Sequence, residues 1–204
     1  MNRIDRIRGF YAVLDRDDEA LAQILLRHAS VLQIRLKLGT AAEQLALARK
    51  ARVWCDRAGA LLIVNDRIDI ALAARADGVH LGQSDVPFAD ARRLAPDLII
   101  GVSTHDLDQV RGASHADYLG YGPVFTTRTK ENPDPVQGVA ALALAVRAAA
   151  PTPVVAIGGI ATHHATEVAN TGVAAICAIS AVNNASDPDA AARSFARQIV
   201  LNAL

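Results

Sequence analysis

The chain has 204 residues, of which 51% are hydrophobic and 21% charged, so it can bury a full core and does not have the composition of a disordered chain. Twenty-one Lys and Arg residues balance 21 Asp and Glu residues, which argues against a general polyanion binder. We find no signal-peptide core at the start and no apolar run of the ~18 residues that a membrane span needs. The sequence therefore predicts a cytoplasmic protein with neither nucleic-acid nor membrane partners.

Short β-branched runs alternate with longer Ala- and Leu-rich stretches of helical period along the whole chain. The predicted strands are 10–15, 31–36, 61–66, 78–82, 99–104, 118–125, 153–160 and 174–180. The predicted helices are 17–29, 40–58, 67–76, 87–95, 105–115, 137–150, 161–171 and 187–203, and Thr40 with Glu43 fits a capping box at the second of them. Eight continuous βα units favour a single (β/α)8 TIM barrel over residues 1–204, with an open doubly wound sheet as the alternative.

The second predicted strand alternates polar and apolar side chains. Gln33, Arg35 and Lys37 share one face, opposite a face of leucine and isoleucine. If the apolar face packs on helices, the two cations point into the barrel mouth, where desolvation is costly unless an anion meets them. We interpret this face as a phosphate or diphosphate cradle. Ion pairing with internal carboxylates is the alternative.

Two carboxylates follow neighbouring strands. Asp66 ends the third strand after Asn65, and Asp85 comes shortly after the fourth. Because adjacent parallel strands lie about 4.8 Å apart, both carboxylates can reach one ion at the rim, and a set of oxygen ligands alone indicates Mg²⁺. The alternative for Asp66 is a helix N-cap. His80 faces inward on the fourth strand and is interpreted as a core residue outside the site.

The remaining strand ends also carry polar residues. Ser103 ends the fifth strand, and Lys130, one of only three lysines against 18 arginines, lies in the long polar connection 126–137, which is typical of a lid. Gly158 and Gly159 lie at the end of the seventh strand and Ser180 ends the eighth, where barrels often bind phosphate. Turn or cap roles are the alternative for these hydroxyls and glycines. The pattern predicts two anion sites facing each other.

Six ordered motifs resemble those of the thiamine phosphate synthase family. They are Gln33-x-Arg35-x-Lys37, Val64-Asn65-Asp66-Arg67, Gly78-Val-His-Leu-Gly-Gln83-x-Asp85, Gly101-Val-Ser-Thr-His105, Gly122-Pro-Val-Phe-x-Thr-x-Thr-Lys130 and Ala156-Ile-Gly-Gly-Ile160. The resemblance covers nearly the whole chain. It implies a transferase of thiamine biosynthesis that joins 4-amino-5-hydroxymethyl-2-methylpyrimidine diphosphate to 4-methyl-5-(2-phosphoethyl)thiazole, releasing pyrophosphate and thiamine phosphate.

The resemblance also implies roles for individual residues. The pyrimidine diphosphate would be held by Gln33, Ile34, Arg35, Leu36, Lys37, Asn65, Ser103 and Lys130, and the thiazole phosphate by Thr127, Arg128, Thr129, Gly159, Ile179 and Ser180. Asp66 and Asp85 would bind Mg²⁺. Arg35, Lys37, Ser103 and Lys130 would take part in catalysis, with the diphosphate leaving before the thiazole nitrogen attacks.

Three positions depart from the family pattern: Leu36, Thr126 and Arg128. Arg128 stands where the family usually has a small polar residue and would add a charge beside the thiazole, which makes the carboxylated thiazole phosphate an alternative substrate. Three competing functions remain. They are a thiazole tautomerase paralogue, a non-catalytic paralogue that binds thiamine phosphate, and a phosphosugar isomerase. Pro123, at the position where such tautomerases commonly carry histidine, and the pair of aspartates favour the synthase.

Overall fold

The computed structural model describes residues 3–127 and 134–201, and these contain a closed barrel of parallel strands. The strands, which pair in chain order, are β1 Gly9–Leu14, β2 Ala29–Ile34, β3 Leu61–Asn65, β4 Gly78–Leu81, β5 Ile99–Thr104, β6 Tyr118–Tyr121, β7 Val154–Ile157 and β8 Ala175–Cys177. Gly9 of β1 lies opposite Ala175 of β8, and this pairing closes the barrel. The predicted (β/α)8 class is confirmed and the open sheet is excluded.

Helices connect successive strands on the outside of the barrel. They are α1 Glu19–Leu26, α2 Ala41–Ala58, α3 Ile68–Ala73, α4 Phe88–Leu94, α5 Leu107–Gly112, α6 Gly138–Ala149, α7 Ala165–Ala169, α8 Ser180–Asn183 and α9 Pro188–Leu201, with 3-10 turns at Arg3–Arg6 and Thr162–His164. The capping box predicted for α2 is present: the Thr40 backbone amide donates to the Glu43 carboxylate at 2.8 Å, and the Glu43 amide donates to the Thr40 hydroxyl at 3.3 Å. None of the described helices is long and apolar enough to cross a membrane.

The last three strands end earlier than the sequence pattern predicts. β6 ends at Tyr121 because Pro123 follows, and proline has no amide hydrogen for the ladder. β7 ends at Ile157 because Gly158 and Gly159 turn the chain with φ of +97° and +66°. After β8 the chain forms the short helix α8, which the hydrophobic period did not predict. These early ends leave the loops after β6, β7 and β8 at the mouth.

The apolar core has two layers, one on each face of the barrel wall. Tyr11, Val13, Ile63 and Tyr118 belong to the inner layer, whereas the alternate strand residues pack outward with the helices. Ile7, just before β1, is 1% exposed and joins the inner layer. The interior is filled mainly by apolar side chains, and the open space lies at the carboxyl ends of the strands.

Gly101 on β5 is required by this inner packing. A Cβ atom there would lie 2.1 Å from the Tyr118 ring, so we expect Gly101→Ala to lower the free energy of unfolding by about 1–3 kcal/mol or more. Gly112, at the end of α5, is the matched control, because a Cβ atom there would have nothing within 4 Å of it. Gly112→Ala is expected to be neutral or slightly stabilising. Urea unfolding of both variants measures the difference, and equal stabilities would contradict this packing.

Candidate active site

A cavity of about 580 Å³ opens at the carboxyl ends of the strands, where barrels place their active sites. The residues predicted from the sequence that line it are Gln33, Arg35, Lys37, Asn65, Asp66, Asp85, Ser103, Thr127, Gly159, Ile179 and Ser180. They come from β2 and β3 and from the ends of β4 to β8. The structure therefore brings most of the predicted site residues together around one mouth.

Two predicted residues point elsewhere and three cannot be placed. Ile34 is 4% exposed in the outer apolar layer, and Leu36 packs against that layer. Their side chains line a smaller cleft of about 310 Å³ beside the mouth, so a contact with a ligand in the main cavity would have to come from their backbone. Arg128, Thr129 and Lys130 lie outside the described residues, as does half of the predicted lid 126–137. Their roles stay predictions.

Arg35 directly follows the last residue of β2, and Lys37 lies in the turn just after it. The backbone amide of Arg35 donates to the Leu14 carbonyl at 2.9 Å, which fixes this segment against β1. Burial lowers the pKa of Arg35, and the nearby Asp66 carboxylate acts in the opposite direction. Neither cation forms a salt bridge with any described carboxylate, in contrast to the ion-pairing alternative. The arrangement is suited to an incoming anion.

Asp66 and Asp85 meet at the rim beside these cations. Asp66 has a φ of +63°, in the left-handed region, and its amide donates to the His80 carbonyl at 2.8 Å. The Asp85 carboxylate accepts from the Gly82 amide at 2.7 Å, and its negative charge acts on the neighbouring Asp66 carboxylate. Burial, followed by the charge of Asp85, raises the pKa of Asp66 to about 6. The raised pKa shows that the negative charge of Asp66 is disfavoured in this place. A hard cation bound by the two carboxylates would stabilise that charge.

A chain of buried hydrogen bonds lies beneath the mouth. Gln33 contacts Tyr11, Tyr11 contacts Tyr118, Tyr118 contacts His80, and His80 contacts Ser103. Burial lowers the pKa of His80 to about 4, with Asp85 acting against this shift and Arg35 adding to it. His80 is hydrogen-bonded as the sequence interpretation expected, but it also lines the cavity, as do both tyrosines. Strand alternation was the available signal for the tyrosines, since it places them on the inner face.

The loops after β6 and β7 touch each other closely at the other side of the mouth. The Phe125 amide donates to the Gly158 carbonyl at 2.9 Å. A Cβ on Gly159 would lie 2.4 Å from the Thr126 carbonyl oxygen. Backbone packing alone thus explains the glycine at 159, and its role in binding phosphate stays a prediction. Ser180 begins α8 close by, in the region where barrels often bind phosphate.

Sequence reasoning missed other residues that line the cavity. His105 contacts the Gly122 carbonyl through Nδ1 at 2.6 Å, and its Nε2 lies 3.4 Å from the Asp134 carboxylate, so it ties the end of the long connection to β5. Cys177 also lines the cavity, but burial raises the pKa of its thiol to about 12, which makes it a poor nucleophile. Among the described residues we find no cluster of three or more His, Cys, Asp and Glu side chains suited to a metal.

A family model described as thiamine monophosphate synthase matches residues 10–182 of this chain. The chain belongs to the thiamine-phosphate synthase family. The thiamine-phosphate synthase of Anaeromyxobacter dehalogenans is 45% identical over 193 residues, which cover 92% of this chain and 86% of that protein. The thiamine-phosphate synthase of Archaeoglobus fulgidus is 40% identical over 201 residues, or 96% and 95% of the two chains. As a member of this family, the chain is a transferase of thiamine biosynthesis.

Solved structures agree with this assignment to the thiamine-phosphate synthase family. The thiamine phosphate pyrophosphorylase from Pyrococcus furiosus is 35% identical, with a TM-score of 0.88 and coverage of 98% of both chains. The 3-hexulose-6-phosphate synthase from Salmonella typhimurium has a TM-score of 0.71 at 14% identity, which shows a shared fold alone. The predicted family is therefore confirmed by sequence and by structure.

Proposed function

We propose that this chain joins 4-amino-5-hydroxymethyl-2-methylpyrimidine diphosphate to 4-methyl-5-(2-phosphoethyl)thiazole and releases pyrophosphate and thiamine phosphate. The observation that carries the proposal is the composition of one mouth. Arg35 and Lys37, which form no salt bridge among the described residues, line the same cavity as Asp66 and Asp85 and the loop at Gly159. The cationic side chains can bind a diphosphate directly, and the carboxylates can bind a metal ion that also binds it. Both contributions are needed to balance the negative charge of a diphosphate.

The two aspartates fit a magnesium ion. Asp66 and Asp85 line the same cavity, and burial together with the charge of Asp85 raises the pKa of Asp66. A divalent cation bound by the two carboxylates would offset their mutual repulsion. Mg²⁺ takes one or two carboxylates and completes its shell with water and substrate phosphate, so a larger cluster of protein ligands is not needed. When bound there, the ion would neutralise charge on the leaving diphosphate.

The residues of this chain then have separate tasks in a dissociative displacement. Arg35 and Lys37, with Lys130 as a predicted third cation, stabilise negative charge as it builds on the departing diphosphate oxygen. Asn65, Ser103 and the 5%-exposed Gln33 hold the pyrimidine. The thiazole nitrogen is itself the nucleophile. No protein nucleophile is required, which agrees with the high pKa of Cys177.

The second substrate would bind at the opposite side, near Thr127, Gly159, Ile179 and Ser180. Arg128, which lies outside the described residues, would place a cation there. We expect Arg128→Ser to raise the KM for the thiazole phosphate more than the KM for the pyrimidine diphosphate, and to do so most for the carboxylated thiazole. Steady-state kinetics with each substrate varied in turn measure this. Equal changes in both KM values would remove this role.

Genetic complementation tests the function against its alternatives. A bacterial strain that lacks its own thiamine-phosphate synthase should grow without thiamine when it expresses this chain in the cytoplasm, where we expect the protein to act. A thiazole tautomerase, a silent thiamine phosphate-binding paralogue or a phosphosugar isomerase would not restore growth. Failure to grow, with the protein expressed and folded, would contradict the proposal.

A further inference from the structure

Five polar side chains from five different strands form an unbroken hydrogen-bonded chain across the barrel interior. Gln33 Nε2 lies 3.0 Å from the Tyr11 hydroxyl, which lies 2.8 Å from the Tyr118 hydroxyl. The Tyr118 hydroxyl lies 3.0 Å from His80 Nδ1, and His80 Nε2 lies 2.9 Å from Ser103 Oγ. All five side chains line the cavity, with Gln33 at one end of the series and Ser103 at the other, so His80 can influence a ligand through the Ser103 hydroxyl.

With the Gln33 amide nitrogen as the donor to Tyr11, the count of hydrogens gives the series of hydrogen bonds one direction. The Gln33 amide donates to Tyr11, so the single hydroxyl hydrogen of Tyr11 is available for Tyr118. Tyr118 accepts it and donates its own hydrogen to His80 Nδ1. A neutral imidazole whose Nδ1 accepts carries its hydrogen on Nε2, and that hydrogen is donated to Ser103.

Two other placements of the hydrogens are conceivable. One leaves a buried hydroxyl without an acceptor, and the other predicts a different tautomer of His80. A doubly protonated His80 would donate to Tyr118 as well, and one phenol hydrogen would then have no acceptor inside the buried chain. The reverse direction needs Gln33 to present its carbonyl oxygen to Tyr11, and it places the imidazole hydrogen on Nδ1. The two directions therefore differ in the tautomer of a single histidine.

We propose that His80 is a positioning residue that makes the Ser103 hydroxyl a hydrogen-bond donor toward the substrate. Because Ser103 Oγ accepts from His80, its own hydrogen is directed into the cavity, where it binds an acceptor atom such as an aromatic ring nitrogen. The same hydrogen disfavours a ligand that places a hydrogen-bond donor, such as an exocyclic amino group, opposite the Ser103 hydroxyl. The identity of the ligand rests on the proposed function, whereas the direction of the chain does not.

Nitrogen-15 NMR of the ligand-free protein tests the direction without any assay of activity. Long-range correlations in the histidine rings report which nitrogen carries hydrogen, and the His80 signals are assigned by their loss in His80→Gln or, if that variant does not fold, by replacing the other five histidines in turn. The expected result at neutral pH is hydrogen on Nε2 and none on Nδ1. Hydrogen on Nδ1, or on both nitrogens, would overturn the inference.

Steady-state kinetics test whether the direction of hydrogen-bond donation from His80 to Ser103 affects kcat/KM. His80→Gln keeps an amide donor near the position of Nε2, whereas His80→Asn places its amide near Nδ1, so we expect kcat/KM to be about tenfold higher for His80→Gln. In a Ser103→Ala background the two should become equal, because the group being oriented is gone. A purely structural role would keep the same ratio in both backgrounds and would overturn the inference.

Two tyrosines on β6 give a matched pair. Tyr118→Phe removes the donor to His80 Nδ1 and should lower kcat/KM by about tenfold. Tyr121→Phe removes a buried hydroxyl that takes no part in this series of hydrogen bonds. Its one hydrogen bond among the described residues is a long one, 3.5 Å to Gln137. That variant should keep its kcat/KM and the wild-type tautomer. Equal losses in the two variants would contradict the role of the chain.

Discussion

Replacing both Asp66 and Asp85 by asparagine is expected to reduce turnover at least about a thousandfold while the barrel stays folded. Both carboxylates line the described cavity, and the charge of Asp85 acts on Asp66. Asparagine has nearly the same size and keeps one oxygen, so packing at the rim is preserved. What is lost is the negative charge that would hold the proposed divalent cation.

Stability separates this loss of activity from misfolding. Because the pKa of Asp66 is raised from 3.8 to about 6 in the folded, metal-free protein, its ionisation disfavours the folded state, and stability from this group falls as pH rises from about 4 to 6. In EDTA at pH 8 the double variant should therefore melt at the same temperature as the wild type or higher. At pH 4 this advantage should shrink. Added Mg²⁺ should raise the melting temperature of the wild type only.

Asp69→Asn is the matched control for the aspartate pair. Asp69 lies three residues from Asp66 but is exposed and forms a salt bridge with Arg67. It should keep nearly full, Mg²⁺-dependent turnover, and the loss of a surface ion pair should cost at most about 1 kcal/mol of stability. Undiminished Mg²⁺-dependent activity in the Asp66→Asn, Asp85→Asn variant would contradict the metal site.

Arg35→Gln is expected to lower kcat by about 100- to 1,000-fold. The Arg35 side chain lines the cavity and forms no salt bridge among the described residues, so we expect its charge to stabilise the departing diphosphate. Arg35→Lys should recover only part of the activity, because an ammonium keeps the charge but not the planar fork that binds two phosphate oxygens. The affinity for the product pyrophosphate should be highest in the wild type, lower in Arg35→Lys and lowest in Arg35→Gln.

Steady-state kinetics and inhibition by pyrophosphate measure these effects. Arg67→Gln provides the control, since Arg67 is an exposed cation two positions beyond Asn65 that pairs with Asp69. It should leave kcat close to that of the wild type. If Arg35→Gln changed the KM alone and left kcat intact, the guanidinium would contribute to ground-state binding and not to the departure of the diphosphate.

The sequence predicted the barrel and most of its mouth because both depend on local patterns. The two-residue alternation in β2 correctly places Gln33 and Arg35 inward and Ile34 outward, and a closed parallel sheet gathers the strand ends at one side. Helix α2 was predictable for the same reason, since Thr40 and Glu43 are close in sequence. These features need no knowledge of distant contacts.

The features that were missed depend on contacts between distant segments. Tyr11 and Tyr118 are 107 positions apart, and each reads as an ordinary aromatic strand residue until the barrel brings their hydroxyls to 2.8 Å. His80 was interpreted as core because a single histidine on a strand has no local sign of its partners. The sequence interpretation assigned Gly159 to phosphate binding. The structure gives a second reason for glycine at this position, because a side chain there would clash with the Thr126 backbone. The short helix α8 is too brief for a periodic signal.

One measurement tests the central claim most directly. Purified protein is incubated with the pyrimidine diphosphate and the thiazole phosphate, with Mg²⁺ or with EDTA, and thiamine phosphate and pyrophosphate are followed together by mass spectrometry. We predict equal amounts of the two products, formed with Mg²⁺ and nearly absent in EDTA or when either substrate is omitted. Binding of the thiazole phosphate without formation of either product would contradict the coupling reaction.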